Sequence, residues 1–273
     1  MATPEAPLRE ILKAVSFTQF PLRVTQSFFT PEKIETPQLH IHRPLTHKSS
    51  ASPSCDVKSL SALALLRFAS YKVDIKYSSQ PEASPNGQLP FLLLADSTAL
   101  DARGIERHLT EQKLLGESEL ADEMIYLLMV ENNLVPAVEY LTWIDPEGFD
   151  SVGWQKYLGS YPMIIGYFLG WQKYMQSSRK LQTGLPEYGS ALDGDVIYEN
   201  AFRTMDSLAV LLGERKYFSG STPGVLDALV FACLNVVVET PLKSPIRSAM
   251  TREGSKYKVL LDFTVRVLEE YFQ

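Results

Sequence analysis

Apolar positions along the chain first alternate and later recur at helical spacing. From Gln38 to Leu45, Leu39 and Ile41 alternate with His40 and His42, the period of a half-buried strand. After a Ser-rich turn at 46–53, Leu60, Leu63, Ala64, Leu66 and Phe68 follow helical spacing to about Ala69, and Ser54 or Asp56 can cap that helix. Val73 to Tyr77 reads as a second short strand and Ser78 to Gln88 as a long polar loop. Phe91 to Leu94 is a third strand entered through Pro90. A fourth is expected to be missing or reduced around Ser97 to Leu100, and Ala102 to Leu109 opens another helix.

From Glu117 onward the strand signals fade. Leu120 to Trp143 is helical in period, with Pro136 expected to kink or split it. Gly153 to Leu181 is rich in aromatics, among them Trp154, Tyr157, Tyr161, Tyr167, Phe168, Trp171 and Tyr174. Asp195 to Leu212 is amphipathic, while Leu226 to Val238 is apolar nearly all round, as a helix enclosed by other helices would be. Lys256 to Phe272 closes the chain as a last helix. The order predicts an α/β thioredoxin-like half at 39–115 followed by an all-α half at 116–273.

Residues 1–38 read as an arm. Leu8, Ile11, Leu12 and Val15 allow a short amphipathic helix, and Phe17, Phe20, Phe28 and Phe29 are scattered among Pro21, Pro31 and Pro37. Such residues need cover, either from the protein's own body or from a partner or membrane surface. The four phenylalanines are the candidate partner-binding residues.

Composition narrows the function. With 45% hydrophobic and 21% charged side chains the chain is ordinary for a globular protein. Its 26 basic and 32 acidic residues give a net charge of −6, and no Lys/Arg cluster is interleaved with aromatics, so nucleic acid is not an expected partner. Cys55 and Cys233 are the only cysteines and form no Cys-x-x-Cys pair. Together with the absence of an Asn-x-Ser/Thr sequon, this points to a reducing compartment. The first ten residues lack the apolar core of a signal peptide and the Arg-rich, acid-poor character of a presequence. No window reaches the roughly 18–20 apolar residues that span a bilayer; Val225 to Val238, which comes nearest, carries Asp227 and Asn235.

Little in the chain suggests cofactor chemistry. Neither phosphate-binding glycine pattern occurs, and no nucleotide cofactor is expected. His40 and His42 share a strand face, but no close-spaced ligand pair from a second element accompanies them, so no metal is expected. Cys55, at the start of the first helix, stands where a helix N-terminus can activate a thiol. The plainer alternative is a partly buried thiol beside the acidic cap Asp56. The segment Ser84-Pro85-Asn86-Gly87-Gln88-Leu89-Pro90-Phe91 turns sharply at Asn86-Gly87, and Pro90, without an N–H, belongs at a strand start. Gly87 and Pro90 are therefore assigned to the frame of the fold.

With this segment, an ordered set of further stretches carries a family resemblance: Glu139-Tyr140-Leu141-Thr142-Trp143, Tyr161-Pro162, Trp171-Gln172-Lys173, Leu226-Asp227-Ala228-Leu229-Val230-Phe231, Leu260-Leu261-Asp262-Phe263 and Tyr271-Phe272. From about Leu39 to its end the chain resembles the metaxins, a glutathione-transferase-like family of the mitochondrial outer membrane. The metaxin-2 type, whose fungal counterpart is the 35-kilodalton subunit of the sorting and assembly machinery (SAM, or TOB, complex), is the nearest in pattern. The resemblance implies a peripheral, non-catalytic subunit on the cytosolic face of that membrane, in contact with it through partners. Those partners would be a β-barrel core subunit, a second metaxin-like subunit and unfolded β-barrel precursors. The alternative is a glutathione transferase or thiol reductase-like enzyme using Cys55. Against it, the Glu/Gln-Ser pair that catalytic transferases use to bind glutathione is replaced near Leu100-Asp101-Ala102-Arg103, where Ala stands for Ser. In the helical half Asp227 matches the family's capping box, with Gly224 at the cap position, and is assigned a structural role.

Overall fold

The computed structural model describes residues 35–44, 53–78, 84, 86–116, 118–158, 163–184, 193–240 and 244–272. Phe17, Phe20, Phe28 and Phe29 lie outside them. Strand β1 (Gln38–Ile41) leads to helix α1 (Val57–Phe68), β2 (Asp74–Tyr77), β3 (Phe91–Leu93), β4 (Ala99–Asp101) and helix α2 (Ala102–Glu111). The sheet order is β2-β1-β3-β4, with β1 parallel to β2 and antiparallel to β3, and β3 antiparallel to β4. The fourth strand, expected to be missing or reduced, is present in reduced form with three residues. Ser97 takes a left-handed conformation (φ 68°), Leu94 donates to the Thr98 carbonyl, and the chain returns as β4. Three residues of mixed character are too few to print an alternating pattern, which is why the sequence marks β4 only as missing or reduced.

Leu39, Ile41 and Leu92 are buried in the main core. Leu89, Phe91 and Leu93 form a separate small cluster with Ala99. In α1, Leu60, Leu63 and Leu66 are fully buried, as are Ala64 and Ser59, because the helix is packed on more than one side: against β1, against α2 and most extensively against α7 (Val225–Glu239).

The helical half comprises α3 (Glu123–Met129), α4 (Val135–Trp143), α5 (Met163–Gly184), α6 (Gly194–Leu212), α7, α8 (Pro245–Thr251) and α9 (Lys258–Tyr271). Pro136 splits the expected long helix. It has no N–H to continue the ladder, and the chain passes from α3 to α4 through a wider π-helical turn at Val130–Leu134. Asn133 in that turn donates to Thr204 of α6 at 2.9 Å. After α4 the single turn Pro146–Gly148, capped by Asp145, leads into a second π-helical stretch at Phe149–Leu158. Only glycine fits at Gly148: a Cβ there would stand 1.6 Å from the Leu141 carbonyl oxygen.

Helix α6 buries Ile197, Ala201, Met205, Leu208 and Leu212, one stripe at helical spacing. Helix α7 is buried on almost every side, its Phe231 stacked on Phe272 with ring centroids 5.2 Å apart. The sheet, α1, α7 and α9 thus contribute to one continuous core. Helix α8, which the sequence pattern does not announce, is short but has its own cap, Ser244 accepting from the Arg247 N–H at 3.1 Å.

Candidate functional site

The strand register lines up His40, Phe91 and Asp101 across β1, β3 and β4. One end of the sheet therefore gathers the end of β1, the Leu89–Pro90 peptide, which is cis, and the start of α2. Gly87, with φ 63°, makes the tight turn before it. Its N–H donates to the Ser84 carbonyl, and the Gln88 N–H donates to Ser84 Oγ at 2.7 Å.

In an open transferase-type site, the exposed donors of a helix N-terminus would receive a ligand carboxylate. Here the chain fills that place itself. Asp101 caps α2, one carboxylate oxygen accepting from the Gly104 N–H at 2.7 Å and the other from the Asn86 side-chain amide at 2.6 Å. The loop before Pro90 is thus tied to the helix that follows β4. The same holds at α1, where Asp56 Oδ2 accepts from both the N–H and the hydroxyl of Ser59 at 2.9 Å. The Ser59 oxygen in turn accepts from the His42 N–H at 3.4 Å, pinning the helix to the end of β1.

Cys55 is 7% exposed and lies between the buried Ser54 and the carboxylate cap Asp56. A nucleophilic thiol needs access, which this position restricts, and the neighbouring carboxylate disfavours a thiolate. The ring of His40 stacks on Phe91, centroids 4.3 Å apart and planes within 7°. Burial, with Lys76 nearby, holds its pKa below the usual histidine value. His42 is also lowered, chiefly by burial, with Asp56 opposing and Lys173 adding to the effect. Among the described residues, no group of three His, Cys, Asp or Glu side chains could hold a metal ion.

A second arrangement lies in the helical half. The carboxylate of Asp227 is fully buried and accepts three backbone N–H groups, from Phe218 at 2.7 Å, Gly224 at 3.0 Å and Ser219 at 3.1 Å. Burial raises its pKa, against the lowering effect of those donors. Gly224 at the cap position has a spatial cause: a Cβ there would lie 2.3 Å from the hydroxyl oxygen of Ser219, which donates to Glu123 at 2.9 Å. Gly224→Ser, which by cap preference alone should stabilise the helix, is therefore expected to destabilise by about 1–3 kcal/mol. A urea titration against the parent checks this, and a raised midpoint would refute it.

Near the junction of α2 and α3, Glu106 is raised, first by burial and then by Glu131, with Glu123 adding and Arg103 opposing. Folding therefore favours the protonated carboxyl. Its contribution is most favourable below the unfolded carboxylate pKa and is lost as pH rises through the folded value. Glu106→Gln should be more stable than the parent at neutral pH, by less than about 1 kcal/mol after solvent screening, and the gap should close below roughly pH 4. Thermal midpoints across pH 3–8 check the sign.

The profile described as Tom37, outer mitochondrial membrane transport complex protein, matches residues 59–174, and a glutathione S-transferase C-terminal domain matches residues 201–267. Metaxin-3 of Xenopus laevis is 32% identical over 228 residues, covering 81% of this chain and 73% of the frog protein. The chain belongs to the metaxin family. Metaxin-1 of Mus musculus is 29% identical over 201 residues, covering 70% of this chain. The chain spans 63% of that mouse protein and 43% of human metaxin-1, less than two thirds of either. Among solved structures, a glutathione transferase from Phanerochaete chrysosporium is similar in fold, with a TM-score of 0.56 at 11% identity, covering 86% of this chain and 97% of that one. The fold of this metaxin-family chain is glutathione-transferase-like, a small mixed sheet followed by a helical half.

The sequence identifies Asp101-Ala102 as a departure from catalytic transferases but not the Asn86–Asp101 bond, because partners fifteen positions apart leave no periodic signal. Ser219 and Glu123, which surround the Asp227 cap, are missed for the same reason.

Proposed function

We propose that this metaxin-family chain is a non-catalytic, peripheral subunit of the mitochondrial outer-membrane β-barrel sorting and assembly machinery. It would stand on the cytosolic face beside a β-barrel core subunit and a second metaxin-like subunit, and would help receive β-barrel precursors. One observation carries the non-catalytic part: the two helix N-termini where a transferase-type site would take its ligand are capped by Asp101 and Asp56. The metaxin relatives and the outer-membrane transport description support the rest. The work suits such a scaffold, because unfolded barrel strands expose unpaired edges that aggregate unless captured. Within the family, the sequence motifs favour the metaxin-2 type, while the similarity to metaxin-3 and metaxin-1 extends over 228 and 201 residues.

Affinity isolation from mitochondria tests the proposal: a β-barrel subunit should co-purify stoichiometrically, and its absence would defeat the assignment. Strong, glutathione-competable retention on immobilised glutathione would overturn the non-catalytic part. Functional replacement of each metaxin type in turn would decide the sub-type. If Phe17, Phe20, Phe28 and Phe29 contact a partner, deleting residues 1–34 should weaken co-purification while leaving the body folded. Undiminished recovery of the barrel subunit would reject that role for the arm.

A further inference from the structure

Helix α5 is amphipathic in an unusual sense: its outward side is aromatic. Phe168 and Trp171 are each 61% exposed and Tyr167 is 63% exposed, with Ile165 and Tyr174 also open to solvent. Tyr167 is held by a ring contact with Trp154, centroids 4.7 Å apart, and Phe168 lies against Trp171 at 6.3 Å. The rings are therefore braced while remaining exposed. Buried Leu181 and Ser177 mark the opposite, inward side.

Charge selects among possible occupants. The 22 residues of α5 include Lys173, Arg179 and Lys180 and not one Asp or Glu, in a chain whose net charge is −6. Lys180 reaches Glu139 of α4 at 2.5 Å and is still more than half exposed, while Lys173 and Arg179 face solvent. The nearby acids Asp145, Asp193 and Asp195 lie around Tyr140, towards the Tyr174 flank of the helix. A surface that combines Trp and Tyr, whose polar tips suit a water boundary, with Ile, Phe and the exposed Arg179, on a helix without an acid, has the make-up of a helix lying in a bilayer interface. At 22 residues the helix is about 33 Å long, enough to lay several turns along a surface.

We propose that the outward side of α5 rests directly in the headgroup region of an anionic lipid surface, with Ile165, Phe168 and Trp171 inserted and Arg179 at the phosphates. The inference rests on the outer-membrane setting proposed above and goes beyond it, since it gives the chain a lipid contact of its own instead of one made only through partners. Among the described residues no helix is long and apolar enough to cross a membrane, so the contact is with one leaflet.

Sedimentation of the purified full chain with vesicles tests this, using phosphatidylcholine alone and an equimolar phosphatidylcholine–phosphatidylserine mixture. The protein should pellet with the anionic vesicles, its tryptophan emission shifting to the blue, and should bind the neutral ones less. Phe168→Ser/Trp171→Ser should lower the partition coefficient about tenfold or more, as expected for two large apolar groups withheld from the interface. Both sites are exposed, so its melting midpoint should stay at the parent value. Gln172→Glu removes no apolar group and should still weaken binding to anionic vesicles. Failure of the parent to bind either vesicle, or unchanged binding by the double variant, overturns the proposal. So does loss of barrel-subunit co-purification in the double variant without any vesicle binding by the parent, which would make α5 a protein-docking face. Co-purification by the parent is read separately, so a failed lipid contact leaves the assembly-machinery proposal standing.

Discussion

Asp227→Ala is expected to lower the thermal unfolding midpoint by roughly 10 °C, the largest loss from any single polar group among the described residues. The carboxylate sits at 0% exposure and is the acceptor for the N–H groups of Phe218, Ser219 and Gly224. Removing it strands three buried donors at once, a cost of about 3–5 kcal/mol. Asp227→Asn should retain part of this. Placing the amide oxygen at the Oδ2 position keeps the bonds from Ser219 and Gly224, while the NH2 group then meets the Phe218 N–H. The asparagine variant should therefore fall between parent and alanine. Scanning calorimetry decides it, and an alanine variant melting within about 2 °C of the parent would show that water or a local shift satisfies the donors.

Gly148→Ala should be nearly as damaging, at about 3 kcal/mol, for a steric reason. A methyl group there falls 1.6 Å from the Leu141 carbonyl oxygen, so α4 and the turn Pro146–Gly148 must separate. That turn leads into the π-helical stretch carrying Trp154, which braces Tyr167, so near-ultraviolet circular dichroism should change along with the midpoint. Gly254→Ala is the control. Its φ is 72° but an added Cβ meets nothing within 4 Å, so only the left-handed conformation is penalised, by about 1 kcal/mol. Equal losses in the two variants would remove the steric explanation.

Much of the fold is legible in the sequence because the signals are periodic. The alternation around Leu39 and Ile41, the spacing from Leu60 to Phe68 and the stripe from Ala201 to Leu212 each report a buried face directly. Strand β4 is legible only as a missing or reduced strand, and helix α8 not at all, because three and seven residues hold too little of a period. The candidate site is legible only in part. The replacement at Asp101-Ala102 can be read from the chain, yet what the aspartate does, capping α2 and holding Asn86, depends on a fold that brings the end of one loop to the start of another helix. The aromatic surplus between Gly153 and Leu181 is plain in the sequence. Which rings face outward is decided by the neighbours of α5, and nothing in the composition says so.

The close packing of α1 against α7 places the main seam of the molecule between its two halves. Either half alone would expose the apolar surface that the other covers, and would be sticky for reasons unrelated to its biology. Partner mapping by truncation is therefore a poor instrument for this protein, since a fragment that captures many chains would be advertising its own torn core. Point changes in the intact chain, at α5 and in the arm, are the sounder way to ask what it holds.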